Sequence, residues 1–331
     1  MISLKNIITN TDIKKRFLVI LIVFIIIAVV PFGNNNPIEY IERATGKVKI
    51  EKVAKEGWLY WLYNNPVGEL SLNAIVKRKF VSEWYGERMD SPDSKGKIAG
   101  FVKEYNIDLS ISEKQEFYSF NDFFTRKLKA NARKIDTNKN VLISPADGKL
   151  LAYSNIENQD FIVKGYRFNI YEYLQNDSLA DLYKDGGLII VRLCPTDYHR
   201  YHFPVKGTVI YEQNINGDYY SVSPIALKKK IEILCQNKRE YSEIKTNGFG
   251  NIIMSEVGAT MVGSMVKTYN NNNIEKAEEK GYFKFGGSTV ILFFKKNQIV
   301  MDKDLLLNTK NGLETELVMG NKIGAFLCNL D

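Results

Sequence analysis

His199 and His202 are the only imidazoles in the 331-residue chain, and they lie three residues apart in the stretch CPTDYHRYHFP. An imidazole is the side chain best suited to exchange a proton near neutral pH. Because the stretch follows a strand-like run and is bracketed by prolines, a loop is expected here rather than a continuous helix. Proton transfer through an imidazole must therefore use this pair, although a purely structural role for both rings also fits.

A metal half-site is a second chemistry that this stretch permits, with Asp197 or Cys194 beside the two histidines. A zinc site takes three or four ligands. Since the chain has no further histidine and no paired cysteines, we predict no metal.

Two other motifs supply the residue types that activate a hydroxyl group. SPADGKL, residues 144–150, places Asp147 in a tight turn, where a turn-forming role alone also fits. FGGSTV, residues 285–290, places Ser288 after two glycines and at the start of a strand-like run. FGGSTV lacks the Lys-Ser/Thr and the helix of a P-loop. Together the motifs offer a carboxylate to orient an imidazole and an imidazole to deprotonate a serine.

The position of Ser288 favours attack on its own chain over attack on an external peptide. The Gly-x-Ser-x-Gly turn between strand and helix that is typical of many serine hydrolases is absent. The carbonyl group within easiest reach is that of Gly287, and the paired glycines leave it unshielded by side chains. We therefore expect the chain to cleave itself between Gly287 and Ser288, with a serine hydrolase using Asp147, His202 and Ser288 as an alternative.

The net charge narrows the class of binding partner, and the cysteine content indicates the redox environment. The net charge is +7, from 45 basic and 38 acidic residues, which favours an anionic partner. The basic residues are dispersed and no nucleic-acid-binding motif is present, so phosphate-bearing ligands or a membrane surface are favoured over nucleic acid. Three cysteines at unrelated spacings, Cys194, Cys235 and Cys328, indicate a reducing environment rather than a disulfide framework.

An apolar segment, residues 17–32, follows three basic residues and carries no charge. As a helix it would be about 24 Å long, short against a hydrocarbon core of about 30 Å. A membrane anchor is the favoured interpretation, and a signal peptide or an interfacial segment are the alternatives. The basic flank would place the N-terminus in the cytoplasm and the remainder outside. Since the cysteines favour a reducing compartment, the membrane face stays undecided.

The pattern along the chain predicts an α+β fold with three parts. Residues 1–36 hold the basic flank, the membrane segment and a linker, and residues 37–134 form a helical, membrane-proximal region. Trp58, Tyr60, Trp61 and Tyr63 in that region suit either a lipid interface or ordinary helix packing. Residues 135–331 are expected to form a β-rich, sandwich or barrel-like catalytic domain with a helical insert near residues 169–183. Its strand-like runs are residues 141–144, 148–154, 160–165, 187–194, 206–213, 231–236, 251–258, 288–294 and 315–320.

The motifs PADG, DYHRYHFP and FGGST, in this order, closely resemble those of the phosphatidylserine decarboxylases, pyruvoyl-dependent membrane enzymes that make phosphatidylethanolamine. FNDFFTRKLK at residues 120–129 and ELVMGNKIG at residues 316–324 are also similar to that family. The resemblance extends over residues 38–326. The chain has GGST where many members have LGST, but the Gly-Ser junction is kept.

This resemblance implies a division of labour among the candidate residues. Asp147 would orient His202, and His202 would act as the general base for Ser288. The cut would give a β chain of residues 1–287 and an α chain of residues 288–331 that begins with a covalent pyruvoyl group made from Ser288. A Schiff base with phosphatidylserine would follow, and His199 would protonate the carbanion left after loss of CO2 or shape the pocket.

The resemblance also implies the surroundings of the enzyme. Phosphatidylserine and membrane lipid would be its partners, its own α and β chains would stay together, and a further homo-oligomer is left open. No external cofactor or metal would be needed, and the location would be the cell membrane, anchored or peripheral. A pyruvoyl decarboxylase of a soluble amino acid and a non-catalytic, membrane-anchored β-domain are the remaining alternatives.

Overall fold

The computed structural model describes residues 15, 16, 18, 19, 37–53, 55–156, 168–247, 249–260 and 265–327. The α-helices in these ranges are α1 (Glu56–Asn64), α2 (Pro66–Ser71), α3 (Lys79–Asp90), α4 (Ile98–Tyr105), α5 (Phe120–Phe124), α6 (Ile170–Leu174), α7 (Asp177–Tyr183), α8 (Pro224–Lys229), α9 (Ile233–Gln236) and α10 (Lys303–Lys310). A π-helical turn, Leu72–Val76, precedes α3, and a 3-10 turn, Pro92–Lys97, follows it. The α+β prediction is confirmed, and α6 and α7 form the predicted helical insert.

Three sheets organise the strands that the structure describes. The strands are β1 (Glu39–Glu42), β2 (Lys47–Ile50), β3 (Val141–Ile143), β4 (Gly148–Tyr153), β5 (Leu188–Leu193), β6 (Arg200–His202), β7 (Gly207–Ile215), β8 (Arg239–Thr246), β9 (Gly250–Val257), β10 (Met265–Lys267), β11 (Asn273–Ile274), β12 (Glu279–Phe283), β13 (Ser288–Phe294), β14 (Ile299–Met301), β15 (Glu314–Leu317) and β16 (Lys322–Phe326). The ten-stranded sheet has the order β11-β7-β8-β9-β13-β5-β4-β15-β1-β2, and two three-stranded sheets have the orders β10-β12-β6 and β14-β16-β3.

The strand that begins with Ser288 lies inside the large sheet, between β5 and β9. Its sequence STVILFF is rich in β-branched and aromatic residues, and every residue of it is buried. Because side chains alternate between the two faces, Ile291 and Phe293 pack into the core that holds the insert helices. Val290 and Leu292 pack into the core on the opposite face. Burial on both faces fixes the register of β13 and so fixes the position of Ser288.

The expected sandwich or barrel-like arrangement is wrong in one respect. Among the described strands the large sheet has two edges, β11 and β2, and is therefore an open sheet. Helices α6 to α9 contribute to the core on one face, so a second large sheet is not needed there. The residues of β6 and β12 contribute to the core on the other face.

Two local predictions also fail. The region expected to be helical begins with the hairpin β1–β2, which joins the large sheet through parallel pairing of β1 with β15. Its charged residues are largely solvent-accessible, which hides the strand pattern. Residues 231–236 were expected to form a strand but contain the single helical turn α9. A short apolar run is compatible with the residue period of a helix and with that of a strand.

Two further predictions fall on residues outside the described ranges. The strand-like run 160–165 is one of them. The apolar segment 17–32 is the other, apart from Leu18 and Val19. Within the part of the chain that is described, no helix combines the length and apolar character needed to cross a membrane.

The helices before residue 125 enclose an aromatic cluster, which we define as Met89, Phe117, Phe120, Phe123 and Phe124. Helix α5 begins at a cap in which the Ser119 hydroxyl accepts a hydrogen bond from the Asp122 N–H. Phe285, three residues before Ser288, packs against this aromatic cluster. The helical part of the chain therefore contacts the segment that the sequence singled out for cleavage.

Candidate active site

Ser288 is the first residue of β13 and is fully buried. It pairs with Leu193 of β5, whereas pairing with β9 starts one residue later, at Thr289. The Ser288 hydroxyl has no hydrogen-bond partner among the described residues. A buried hydroxyl usually has a partner, because leaving it unbonded costs about 1–3 kcal/mol. This hydroxyl is therefore available for chemistry rather than engaged in holding the fold.

The two glycines before Ser288 have distinct structural roles. Gly286 has φ of 144°, a conformation that is strained for any residue with a side chain. A Cβ added at Gly287 would lie 3.3 Å from Cγ2 of Val222, so the space at the scissile bond is tight but not closed. The backbone bends at Phe285 and Gly286, directly before the scissile bond.

The cleavage segment, which we define as residues 284–288, is held by helices α3 and α5. The Phe285 ring centroid lies 4.9 Å from those of Phe120 and Phe124. The Phe285 N–H donates to Oδ1 of Asn121 at 2.8 Å. The Asn121 amide nitrogen in turn donates to the Asp90 carboxylate at 2.9 Å, and Lys284 pairs with the same carboxylate at 2.8 Å.

Asp147 lies in the turn between β3 and β4. Its Oδ1 accepts hydrogen bonds from Nε of Arg133 at 3.1 Å and from the Met319 N–H at 2.8 Å, and its Oδ2 pairs with Nη2 of Arg133. Burial raises the pKa of the Asp147 carboxyl, and Arg133 opposes that shift. At the next residue, Gly148, an added Cβ would lie 2.5 Å from the Arg192 carbonyl oxygen, so the turn requires glycine.

His202 lies on β6, and its backbone N–H donates to the Pro145 carbonyl at 2.8 Å. This bond joins the histidine stretch to the turn that carries Asp147. Nδ1 of His202 lies 3.0 Å from the Ala277 carbonyl oxygen, which can only accept, so Nδ1 carries the proton. Nε2 therefore keeps its lone pair and accepts from the Tyr198 hydroxyl at 3.3 Å. Burial lowers the pKa of His202, which favours the neutral ring.

His199 lies against the aromatic cluster, with its ring centroid 3.9 Å from that of Phe124. Nδ1 donates to the Asp197 carbonyl at 2.9 Å, so Nε2 keeps its lone pair, and Nε2 has no hydrogen-bond partner within the described chain. The His199 carbonyl accepts from the Phe283 N–H at 2.9 Å. Burial lowers the pKa of His199 to about 3, and the backbone of Gly286 is close enough to oppose that shift.

The structure thus brings the three motifs to one region but leaves their side chains with separate partners. Asp147 bonds with Arg133, His202 bonds with Tyr198 and Ala277, and the Ser288 hydroxyl bonds with no described group. Arg133 links two of them, because it pairs with Asp147 and its charge also lowers the pKa of His202.

Three residues at the site were missed by reasoning from the sequence: Arg133, Asn121 and Arg126. Asn121 and Arg126 lie in the stretch FNDFFTRKLK, which was noted only for its resemblance. Nothing in the spacing of that stretch indicates that its helix contacts a segment more than 150 residues later, as the Asn121–Phe285 bond shows.

Comparisons with known proteins identify the family of this chain. The family model described as phosphatidylserine decarboxylase matches residues 120–325. A protein named phosphatidylserine decarboxylase proenzyme from Fusobacterium nucleatum is 54% identical over 295 residues, which cover 88% of this chain and 98% of that protein. Proteins of the same name from Clostridium tetani and Desulfitobacterium hafniense are 51% and 47% identical, over 88% and 87% of this chain and 99% and 98% of their own lengths. The chain belongs to the phosphatidylserine decarboxylase family.

Proposed function

We propose that this chain is a proenzyme that cuts itself between Gly287 and Ser288 and then decarboxylates phosphatidylserine to phosphatidylethanolamine. The observation that carries the proposal is the buried Ser288 hydroxyl, which has no partner among the described residues and lies two residues after Gly286, whose φ of 144° favours glycine, in a chain of this family. A buried hydroxyl without a partner destabilises the fold, and a role as the nucleophile of self-cleavage explains why it is kept.

The first reaction is an attack by the Ser288 oxygen on the Gly287 carbonyl carbon while the hydroxyl proton passes to an imidazole. The peptide C–N bond breaks, its nitrogen takes up a proton, and an ester joins the two parts of the chain. Loss of the Ser288 α-proton then expels the Gly287 carboxylate and leaves dehydroalanine at the new N-terminus. Addition of water and loss of ammonia convert that residue into a pyruvoyl group.

We assign the removal of the Ser288 proton to His202 and the orientation of that ring to Asp147. The bond between the His202 N–H and the Pro145 carbonyl supports this assignment, since it holds the two motifs together. The lone pair on Nε2 supports it as well, because a general base must be unprotonated. His199 also has a lone pair on Nε2, which has no partner among the described residues, and lies beside the cleavage segment, so variants must separate the two rings.

The pyruvoyl group would supply a carbonyl that condenses with the substrate amine and accepts the electrons released as CO2 leaves. The residues near Ser288 fit such a group, because Nε2 of His199 is a buried polar atom without a partner in the described part of the chain. Burial keeps the His199 ring neutral in the uncut chain. An anionic substrate beside the ring would raise the pKa of His199 and favour the form that donates a proton.

The two products are expected to stay associated without a covalent link. The β chain would hold residues 1–287 and the α chain the remaining 44 residues, 288–331. Strand β13 of the α chain is paired on both sides by strands of the β chain, β5 and β9. Strand β15 pairs with β1 and β4 in the same way. Residues 135–331 would then act as the catalytic domain, preceded by the membrane segment in residues 1–36 and the membrane-proximal region 37–134.

An exposed apolar surface on the first helices supports a location at the membrane. Helices α1 to α3 and the π-helical turn expose large apolar side chains at Trp58, Leu70, Ile75, Phe80 and Trp84. Aromatic and aliphatic residues of this kind insert into the interfacial region of a bilayer. In a chain that lacks residues 1–36, loss of vesicle binding in a Leu70→Asp/Phe80→Asp variant that still cuts itself would support this location, and unchanged binding would contradict it.

The test of the proposal is the denatured mass of the purified protein. Processing should give a fragment of residues 288–331, about 5 kDa if mass follows length, that is blocked to Edman chemistry and reacts with a carbonyl reagent. Release of CO2 from vesicles that contain phosphatidylserine, and not from free serine, would exclude a decarboxylase of a soluble amino acid. A single intact chain that still turns over the lipid would refute the self-cleavage proposal.

Single variants then test the assigned roles. Asp147→Asn and His202→Ala should leave the chain uncut, because the base is disoriented or absent. His199→Ala should cut at least partly and decarboxylate poorly. If His199→Ala stays uncut while His202→Ala is processed, the roles of the two histidines are reversed.

A further inference from the structure

Four arginines are buried in the described part of the chain: Arg126, Arg192, Arg200 and Arg239. Three of them have strong partners. Arg192 pairs with Glu51 and Glu314, and Arg200 pairs with Glu279. The guanidinium group of Arg239 donates to four backbone carbonyls, those of Glu172, Tyr173, Cys235 and Asn237.

Arg126 is the exception. Its side chain is 95% buried, since 5% of its surface is accessible, yet it forms no ion pair with any described carboxylate. Among the described residues, its single side-chain hydrogen bond runs from Nη1 to the Phe123 carbonyl at a long 3.4 Å, and its Nε has no partner. A buried charge without a partner carries a desolvation penalty of several kcal/mol. Such a cation is expected only where an anion binds during function.

The neighbours of Arg126 are the residues of the candidate active site. Burial lowers the pKa of His199 and the Arg126 charge adds to that shift, and burial lowers the pKa of Arg126 while the Asp147 charge opposes that shift. The guanidinium lies 5.1 Å above the Phe123 ring, in the aromatic cluster that also contacts the His199 ring through Phe124. The unpartnered cation is therefore close to the position where the substrate would react.

The substrate carries two anionic groups that could pair with this cation. The carboxylate leaves as neutral CO2, so a cation bound to it would stabilise the ground state more than the transition state. The phosphodiester keeps its charge from substrate to product and suits the planar donor group of arginine.

We propose that Arg126 binds the phosphodiester of the phospholipid substrate and thereby positions the amine for reaction at residue 288. This inference rests on the proposed function, because it names the substrate group that the same site binds. It gives Arg126 a role in substrate affinity rather than in self-cleavage.

The experiment compares Arg126→Gln and Arg126→Lys with the unmodified protein in mixed vesicles of phosphatidylserine and phosphatidylcholine. Formation of the 288–331 fragment first reports that each variant is folded and processed. For Arg126→Gln we expect KM for phosphatidylserine to rise about 10- to 100-fold, with a smaller change in kcat. Inhibition by the product phosphatidylethanolamine should weaken by a similar factor, because the product keeps the phosphodiester. Arg126→Lys should restore part of both effects.

The matched control is Arg239→Gln, which removes another buried guanidinium but at a site where backbone carbonyls satisfy it. It should lower thermal stability and leave KM and product inhibition unchanged. An unchanged KM in processed Arg126→Gln would overturn the proposal. A raised KM with unchanged product inhibition would assign Arg126 to the carboxylate and would also overturn it.

Two outcomes separate this inference from the proposed function. If the unmodified protein forms no 288–331 fragment or releases no CO2, the proposed function fails first. If the unmodified protein works but neither Arg126 variant is processed, Arg126 belongs to folding or maturation and the substrate-binding role is refuted.

Discussion

Two adjacent positions of β13 face opposite sides of the same sheet, and the buried polar side chains around the two positions differ in how fully they are hydrogen-bonded. Thr289 pairs in register with Arg192, whose guanidinium bonds with Glu51 and Glu314 at distances from 2.5 to 3.1 Å. The Cys194 thiol donates to Glu51 at 3.0 Å in the same group. We call Arg192, Glu51, Glu314 and Cys194 the arginine cluster. Ser288 faces the other side, and its hydroxyl has no described partner.

The difference separates groups that hold the fold from groups that are free to react. The arginine cluster ties the end of the β1–β2 hairpin, through Glu51, to a central strand and to β15, through Glu314. Near Ser288, by contrast, Nε2 of His199 and Nε of Arg126 are also buried without partners. Unsatisfied buried groups destabilise a fold, and they concentrate where function requires them.

The sharpest test of this contrast changes neighbouring hydroxyls on β13. Ser288→Ala should abolish self-cleavage and all activity, because the nucleophile is lost. Thr289→Val is the matched control, since its hydroxyl is equally buried and unbonded. Thr289→Val should still cut itself, and the denatured mass of the purified variant measures this. Normal cleavage of Ser288→Ala would remove Ser288 as the nucleophile.

A second variant addresses the paired side of the sheet. Arg192→Leu should lower the free energy of unfolding by about 3–5 kcal/mol, because Glu51 and Glu314 would stay buried without their partner. Urea denaturation in a Ser288→Ala background measures this effect on an uncut chain. Glu83→Gln, which breaks an exposed helix pair, should cause no measurable change. An equally small effect of Arg192→Leu would show that the arginine cluster does not stabilise the fold.

A third variant tests the contact between the helices and the cleavage segment. Asn121→Leu removes the acceptor for the Phe285 N–H and should slow self-cleavage about 10- to 100-fold by misplacing the scissile bond. The rate of formation of the 288–331 fragment measures the effect. Ser94→Ala is the control, because it loses a buried hydrogen bond to Phe120 without contacting the cleavage segment. Equal rates for the two variants would indicate a general loss of packing instead.

The smallest expected effect is a pH dependence of stability. Burial lowers the pKa of His199 to about 3, from 6.5 in an unfolded chain. As the pH falls below 6.5, the unfolded chain takes up a proton that the folded ring refuses, so stability decreases. His199 alone should lower the free energy of unfolding by about 1.4 kcal/mol per pH unit as the pH falls from 5.5 to 4.5. In a Ser288→Ala background, adding His199→Gln should flatten the measured slope by this amount, and an unaltered slope would contradict it.

Most of the central strands were predictable because their signal is local. The runs 187–194, 251–258 and 288–294 are apolar over a strand length and coincide with β5, β9 and β13. The β1–β2 hairpin was missed because its charged residues are largely solvent-accessible, so its strands lack the apolar run that marks the central strands. The helical turn α9 was missed because four residues carry too little periodicity to separate a helix from a strand.

The residue types that carry the chemistry can be read directly from the sequence: a serine after paired glycines, a pair of histidines, and an aspartate followed by glycine in a turn. Side-chain type and local backbone freedom decide these features, and both are local properties of the chain. Which polar groups are paired and which are free depends on tertiary packing. The bonds of Asp147 with Arg133 and of Phe285 with Asn121, and the isolation of Arg126, depend on contacts between segments distant in sequence. An unpaired polar group is energetically unfavourable only when it is buried, and burial arises only once those segments have packed together.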